Sequence, residues 1–438
     1  MALEIRPYRE EEEQAFYRVP AIVFGNYTGQ PRDPERAEFV LRPEWSLCAF
    51  EDGELATTYG AFPFQQRLNG GVARAAGVTV VGTLPQYRRR GHLRKIMETD
   101  FKRRYEQQLE PVAILLASIA SIYQRFGYAC VSTAVRFEID PRWVAFVPSL
   151  PEAQGTWREV SKDDGQPLLQ QMYDDFIVPR NGFLRRAKPM WDAQVHAGGT
   201  YDGANPGPSL LAVYEEAGEP QGYVAWAAKW LHASADTGGP GQRIYVRDYV
   251  YSSPSAYRAM WEYLKKFDLA ARIVFDCAPV DDPAFHVMQD PRELHAQHRD
   301  WLHARILDLE RLLPLRPYSA EGRVVFEVRD EMCPWNAGRW ALEAGPEGSA
   351  VSRSQESPQI TLDISALAQI LYGQVSPTNA VRYGRAEASP GAPLDLWDAL
   401  WRTNYAPCTR NSGSPAAPNS RSGASARDPD SMDGGGFV

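Results

Sequence analysis

Cysteine is scarce and unpatterned in this chain. The five residues Cys48, Cys130, Cys277, Cys333 and Cys408 are odd in number and contain no C-x-x-C, so neither a disulfide framework nor a zinc site is implied, and packed, reduced thiols are expected. No apolar run approaches the roughly 18 residues that a membrane-spanning helix needs. The opening MALEIRPYREEEEQAF lacks the charged-then-apolar layout of a secretory leader, which points to a cytoplasmic protein. An excess of positive charge is also missing: 47 Lys and Arg stand against 55 Asp and Glu, a formal net charge of -8, which argues against a general nucleic-acid binder. What is present is ordinary for a globular protein of two to four domains, with 438 residues, 44% hydrophobic and 23% charged.

Chemistry concentrates in Gly77 to Met97, GVTVVGTLPQYRRRGHLRKIM. Val78 to Val81 is a β-branched run that reads as a buried strand, Leu84-Pro85 ends it, and Leu93, Ile96, Met97 and Phe101 recur at helical spacing. Between strand and helix lies Arg88-Arg89-Arg90-Gly91-His92. Main-chain N–H groups at a helix N-terminus, with Gly91 allowing close approach and arginines alongside, make a seat for a phosphate-bearing ligand. The loop is not a Walker loop, because G-K-[ST] is absent, nor a dinucleotide fingerprint, because it has one glycine. A solvated helix face and a nucleic-acid contact are the other readings of such an arginine run.

The order V-x-V-x-x-x-x-P-x-x-R-R-x-G-x-L before an amphipathic helix resembles the acetyl-CoA signature of GNAT acyltransferases. After a further buried strand at Ala113 to Ala117, the run from Ala117 to Tyr128, A-S-x-x-x-I-Y-x-R-F-G-Y, resembles the enhanced intracellular survival (Eis) group of that superfamily. The resemblance covers about residues 1 to 408. It makes Tyr123 the general acid; a phenol, with a reference pKa of about 10, is protonated at neutral pH and can donate to a leaving thiolate. Tyr128 is assigned to packing. Carried over residue by residue, Val81, Gly82 and Thr83 would face the pantetheine arm, with the Val81 N–H as oxyanion donor. Arg89, Arg90, Gly91, His92, Leu93 and Arg94 would hold the pyrophosphate, and Ser118 and Ile119 would line the thiol end. Leu93 stands where many GNATs have glycine or alanine, and Ile119 where the Eis group often has glutamate. His92 could serve as a base by composition, but its place in the loop favours a structural or phosphate role.

Along the chain, Ile5 to Pro7 reads as a strand, Glu10 to Val19 as a helix, and Leu47 to Phe50 with Leu55 to Phe62 as a hairpin around Asp52-Gly53. A second unit begins near Trp157, after the linker-like VPSLPEAQGTW, and repeats the order of the first. Val250 to Arg258 can be laid on Val81 to Arg89, but Ala259, Met260 and Trp261 replace Arg90, Gly91 and His92, so this repeat is expected to have lost its cofactor. A charged helix, Glu293 to Leu313, is expected to open a third unit and to carry His295, His298 and His303 with no tetrahedral metal set completed. Alternating strands follow at Arg323 to Val328 and Ile360 to Ile364, with Ser365 as a helix cap. The runs R-I-L-D-L and V-R-D-E-M-C-P-W-N-A-G-R-W resemble the sterol-carrier-like third domain of the Eis group. From Arg410 onward the chain is rich in Gly, Ser, Pro and Ala and is expected to be disordered.

The expected fold is α/β (α+β). Residues 1–145 form an acetyl-CoA-binding GNAT domain and 155–292 a degenerate copy; 298–408 form a sterol-carrier-protein-like domain and 409–438 a disordered tail. The resemblance implies an N-acetyltransferase that uses acetyl-CoA as co-substrate, without a metal, on a small-molecule or peptide amine: an aminoglycoside, lysine or polyamine. It implies a homo-oligomer, hexameric in the family, with neither nucleic acid nor membrane as partner. In that family the terminal carboxylate is the general base, which here would be Val438, some thirty residues beyond the family's usual end at Ala406-Pro407. Asn26 stands where an acidic side chain would suit a polycationic acceptor. The rival reading is a non-catalytic assembly or lipid-binding protein built on the third domain.

Overall fold

Both turn dipeptides, Asp52-Gly53 and Asn69-Gly70, have positive φ at each residue, which is the twist a tight hairpin requires. They join β2 (Cys48–Glu51), β3 (Glu54–Leu68) and β4 (Gly71–Thr83) into an antiparallel frame, preceded by β1 (Leu3–Arg6) and followed by β5 (Val112–Leu116), β6 (Ala129–Cys130) and β7 (Thr133–Ile139). The computed structural model describes residues 2–29, 40–197, 200, 203–230 and 241–410. Its second part contains β8 (Thr156–Val160), β9 (Leu210–Glu216), β10 (Glu219–Trp230), β11 (Gln242–Tyr251), β12 (Ala270–Pro279), β13 (Gln297–Asp300) and β14 (Leu302–Ile306). The third part has β15 (Gly322–Arg329), β16 (Gly338–Gly345), β17 (Gly348–Arg353), β18 (Ile360–Asp363) and β19 (Ala386–Ala388).

These strands form three sheets, two of them by exchange. The first runs β1-β2-β3-β4-β5-β14-β6 and the second β13-β7-β12-β11-β10-β9-β8. Thus β7, expected with residues 1–145, pairs with β12 and β13, while β14, expected within the third unit, is inserted between β5 and β6. The expected helix from Glu293 to Leu313 is replaced by a 3-10 turn (Pro291–Leu294), β13, β14 and a short helix (Leu309–Leu312). The reason is that all five residues of β14 are buried; filling the gap between β5 and β6 outweighs the local helical preference of a charged run. His295, His298 and His303 accordingly lie in a turn, in β13 and in β14, on no common face.

The third sheet is β17-β16-β15-β18-β19. One hydrophobic core runs from Ala75 and Ile114 of the first sheet to Phe326, Leu371 and Trp401 of the third part. Arg305 of β14, wholly buried, donates from Nη2 to both carboxylate oxygens of Asp330, at 2.7 and 2.9 Å, which ties the exchanged strand to the third sheet. Ser365 is not a cap: Asp363 precedes the helix (Ile364–Tyr372), and the Ser365 hydroxyl accepts from Arg385 at 2.9 Å.

Thr409 and Arg410, expected at the head of the tail, are buried. The Thr409 carbonyl accepts from Trp301 Nε1 at 2.7 Å and from Cys277 Sγ at 3.2 Å, and the Arg410 guanidinium donates to the Tyr249 carbonyl and stacks on the Tyr249 ring at 3.6 Å. Small and polar composition suggested solvent here, but specific hydrogen bonds hold both residues inside the second domain. The rest of the tail, 411–438, and with it Val438, lies outside the described residues.

Candidate active site

The site begins where two parallel strands part. β4 and β5 are paired only from Ala75↔Val112 to Gly77↔Ile114; beyond that β4 stays with β3 and β5 goes on beside β14. The opening lies at the carboxyl ends of the strands, where α/β sheets bind ligands. In β4 the register with β3 shifts between Thr58 and Gly60, opposite Val80 and Val81. Val80 takes a left-handed φ of 48°, uncommon for a β-branched residue, and Thr58 Oγ1 donates to its carbonyl at 2.8 Å. Such a bulge turns main-chain groups out of the ladder and re-aims them. Val81 is half-buried, and Gly82 is not dictated by space, because a Cβ there would make ordinary contacts at 3.4 Å and beyond. Thr83 bonds Thr57 at 3.0 Å through its hydroxyl and accepts from Arg88 Nε at 3.1 Å through its carbonyl.

The loop from Leu84 to Gly91 turns through a 3-10 segment (Pro85–Tyr87) and enters the helix His92–Glu106 at Gly91, which is left-handed with φ 82°. A Cβ at Gly91 would meet nothing within 4 Å, so glycine is required by the backbone and leaves open space in front of it. The N–H of Lys95 closes the first helical bond, to the Gly91 carbonyl at 3.1 Å, so those of His92, Leu93 and Arg94 precede the ladder. The side chains divide. Arg89 is exposed and makes no ion pair among the described residues. Arg90 pairs with Glu51 and donates to the Gln86 carbonyl at 2.8 Å. His92 is buried, with Nε2 at 2.9 Å from Glu51 and Nδ1 at 3.4 Å from Thr57. Leu93 packs on the same core as Val81 and Tyr123, and Arg94 reaches Glu98 at 3.4 Å and Met332 Sδ at 3.8 Å. Glu51, missed in the sequence, is the buried anchor of the loop; as the last residue of an otherwise apolar strand it carried no visible signal.

The same helix is fixed from below. Asp100, wholly buried, accepts from Tyr59 at 2.7 Å and from Arg104 Nε at 2.7 Å, and these partners hold its carboxyl below the usual range despite burial. Across the opening, Ser118 and Ile119 are exposed after β5, Ile119 at 57%. The short helix Ala120–Gln124 follows and carries Tyr123, which meets the Tyr128 ring edge-on at 5.8 Å. Burial pushes the Tyr123 phenol up to about 12, so it is protonated throughout the neutral range. Tyr128 is deeper, 1% exposed, and its hydroxyl has no partner among the described residues. Gly127 between them is imposed by its left-handed φ of 83° and by packing, since a Cβ there would stand 2.8 Å from Arg305 Nε.

The second domain keeps the parting strands but not the loop. β11 and β12 pair from Gln242↔Ala270 to Val246↔Phe275, and β11 continues to Tyr251. A helix (Pro254–Leu264) then starts after only Ser252 and Ser253, with Ser253 Oγ accepting from the Ala256 N–H at 3.1 Å. The expected overlay on Val81 to Arg89 therefore ends at the strand: Ala259, Met260 and Trp261 are buried helix residues, and no phosphate loop is formed at all.

Comparison with known proteins places these domains. Family models described as acetyltransferase (GNAT) domains match residues 4–131 and 182–306, and one described as a sterol carrier protein domain matches 309–410. An uncharacterized N-acetyltransferase of Streptomyces coelicolor is 30% identical over 414 residues, 90% of this chain and 98% of its own. The N-acetyltransferase Eis of Mycobacterium tuberculosis is 26% identical over 340 residues, 76% of this chain and 79% of its own. The crystal structure of Eis1 from Mycobacterium abscessus superposes with a TM-score of 0.77 at 27% identity, covering 93% of this chain and 99% of that one.

Proposed function

The chain belongs to the Eis-like GNAT N-acetyltransferases, and from that premise we propose that it acetylates a primary amine by direct attack, with Tyr123 as general acid and the Val438 carboxylate as general base. The observation that carries this reading is the opening between β4 and β5, with a helix N-terminus on one side and a protonated, half-buried tyrosine on the other. Its residues fit acetyl-CoA: Gly91 leaves unfilled space before three early N–H groups, and Arg89 is an exposed cation beside them. When bound, acetyl-CoA supplies the activated acyl group.

The remaining roles belong to the chain. Gly91, His92, Leu93 and Arg94 hold phosphate through main-chain N–H groups, and Arg89 adds its charge. Arg90 and His92 position the loop by closing on Glu51. The Val81 N–H, next to the strained Val80, is the oxyanion donor, and Gly82 and Thr83 continue the same edge. Ser118 and Ile119 border the thiol end. Tyr123 gives its proton to the departing sulfur. A base must first take the ammonium proton. The last described residues, Thr409 and Arg410, are held in the second domain, and the Thr409 carbonyl accepts from Trp301 Nε1; Trp301 precedes Leu302, which pairs with Leu116 at the end of β5. Glu98, the alternative base, faces Arg94 and Lys95.

Release of the CoA thiol on addition of an aminoglycoside, a lysine peptide or a polyamine tests the reaction. Release with at least one of them is expected, and its absence with all three would favour the assembly or lipid-binding reading. Neutral Asn26 predicts that monoamine and peptide acceptors outperform the aminoglycoside. Truncation after Arg410 tests the base. Loss of turnover with acetyl-CoA binding intact is expected, whereas retained turnover at every pH removes Val438 from the mechanism.

A further inference from the structure

The loss of its phosphate loop did not close the second domain. A cleft of about 720 Å³, within the range typical of small-ligand sites, lies between the end of β11 and the segment after β12. Its walls include the rings of Phe176, Tyr251, Tyr257 and Tyr405 together with several prolines. Arg180 is set into this wall at the end of the helix Lys162–Ile177, its guanidinium 3.3 Å from the Phe176 ring centroid and 4.3 Å from that of Tyr405. It donates to the Phe176 carbonyl, and among the described residues no carboxylate pairs with it. Asp175, the carboxylate on the lining, is exposed and takes Gln171 at 2.9 Å instead. Burial lowers the Arg180 pKa from its ordinary value, with Tyr251 opposing the shift. The neighbouring Arg410 already faces Asp248 at 3.4 Å.

A guanidinium set over two rings, with no carboxylate partner among the described residues, is a recognition element for a planar, bidentate acceptor. His286 adds a second polar group. It lies in the short helix Ala284–Val287 that follows β12, on the lining of the cleft. The helix that begins directly at Pro254 leaves no seat for a pyrophosphate, which excludes a second CoA. We propose that this cleft binds a small organic carboxylate with an aromatic or apolar body, its carboxylate on Arg180 and its body against Phe176, Tyr251 and Tyr405.

The proposal is independent of the reaction in the first domain. Calorimetric titration of benzoate into the full chain, with acetyl-CoA saturating the first opening, is expected to show binding that neutral benzamide does not reproduce. Arg180→Gln should weaken it about tenfold or more, as expected for losing a hydrogen-bonded charge, while leaving acetyl-CoA affinity unchanged, and Arg180→Lys should fall between. Ser252→Trp, at an exposed rim position, should block benzoate without removing any buried group. In crystals soaked with 4-bromobenzoate, the anomalous bromine signal should lie in the second-domain cleft. Undiminished benzoate binding in Arg180→Gln or Ser252→Trp, equal binding of benzamide, no binding of benzoate, or bromine found only elsewhere would overturn the assignment.

Discussion

Tyr123 and Tyr128 differ in depth rather than in kind. The first is half-buried beside the strand opening, and the second has a sealed hydroxyl. Tyr123→Phe is therefore expected to lower turnover by about 10²–10⁴-fold with little change in the Michaelis constant for acetyl-CoA, and Tyr128→Phe to leave turnover near wild type. Thiol-release kinetics on both variants check the pair. Because burial raises the Tyr123 pKa to about 12, its neutral form, the one that donates, persists past pH 10; the turnover profile should show no basic limb near 10 that the Tyr123→Phe variant lacks. The arginines divide in the same way. Arg89→Ala should raise the Michaelis constant for acetyl-CoA and leave thermal stability unchanged. Arg90→Ala removes a partner of buried Glu51 and should cost about 1 kcal/mol, discounted because Arg90 is partly exposed, which a denaturant titration would resolve.

At the scale of elements, the exchanged strand β14 joins the first sheet to the third domain. Its Arg305 is fully buried, and Asp330 accepts from it as well as from the Cys333 N–H at 3.0 Å and Asn336 Nδ2 at 3.1 Å. Removing one partner of such a pair leaves an uncompensated buried charge, so Asp330→Ala is expected to destabilise the protein by about 3–5 kcal/mol, measured by urea unfolding. A loss below 1 kcal/mol would mean that solvent reaches Arg305. The strand also explains a misreading. The charged run from Glu293 to Leu313 has helical character locally, but the ladder positions between β5 and β6 are set by residues almost two hundred positions earlier.

For the whole molecule, reciprocal exchange of β7 and β14 means that neither GNAT domain is complete in sequence. A fragment of residues 1–145 would lack β14, exposing the edge of β5 and leaving β7 without β12. It is expected to aggregate or stay unfolded by circular dichroism and to bind no acetyl-CoA; a folded, binding fragment would show that the exchange is dispensable. Among the described residues no helix is long and apolar enough to cross a membrane.

The local grammar of the chain was legible in its sequence: the Asp-Gly and Asn-Gly hairpins, the strand–loop–helix around Gly91, the short helix bearing Tyr123, and the missing glycine in the second copy. Each is decided by backbone sterics and by neighbours a few residues apart. What only the tertiary structure decided is which distant partner each polar group finds. Arg90 and His92 turn to Glu51, Arg305 to Asp330, and Thr409 and Arg410 are held inside, while Arg180 lines an open cleft with no carboxylate partner among the described residues. Burial and pairing of charge depend on contacts across the chain, and composition and periodicity record only how often such groups occur and how they are spaced.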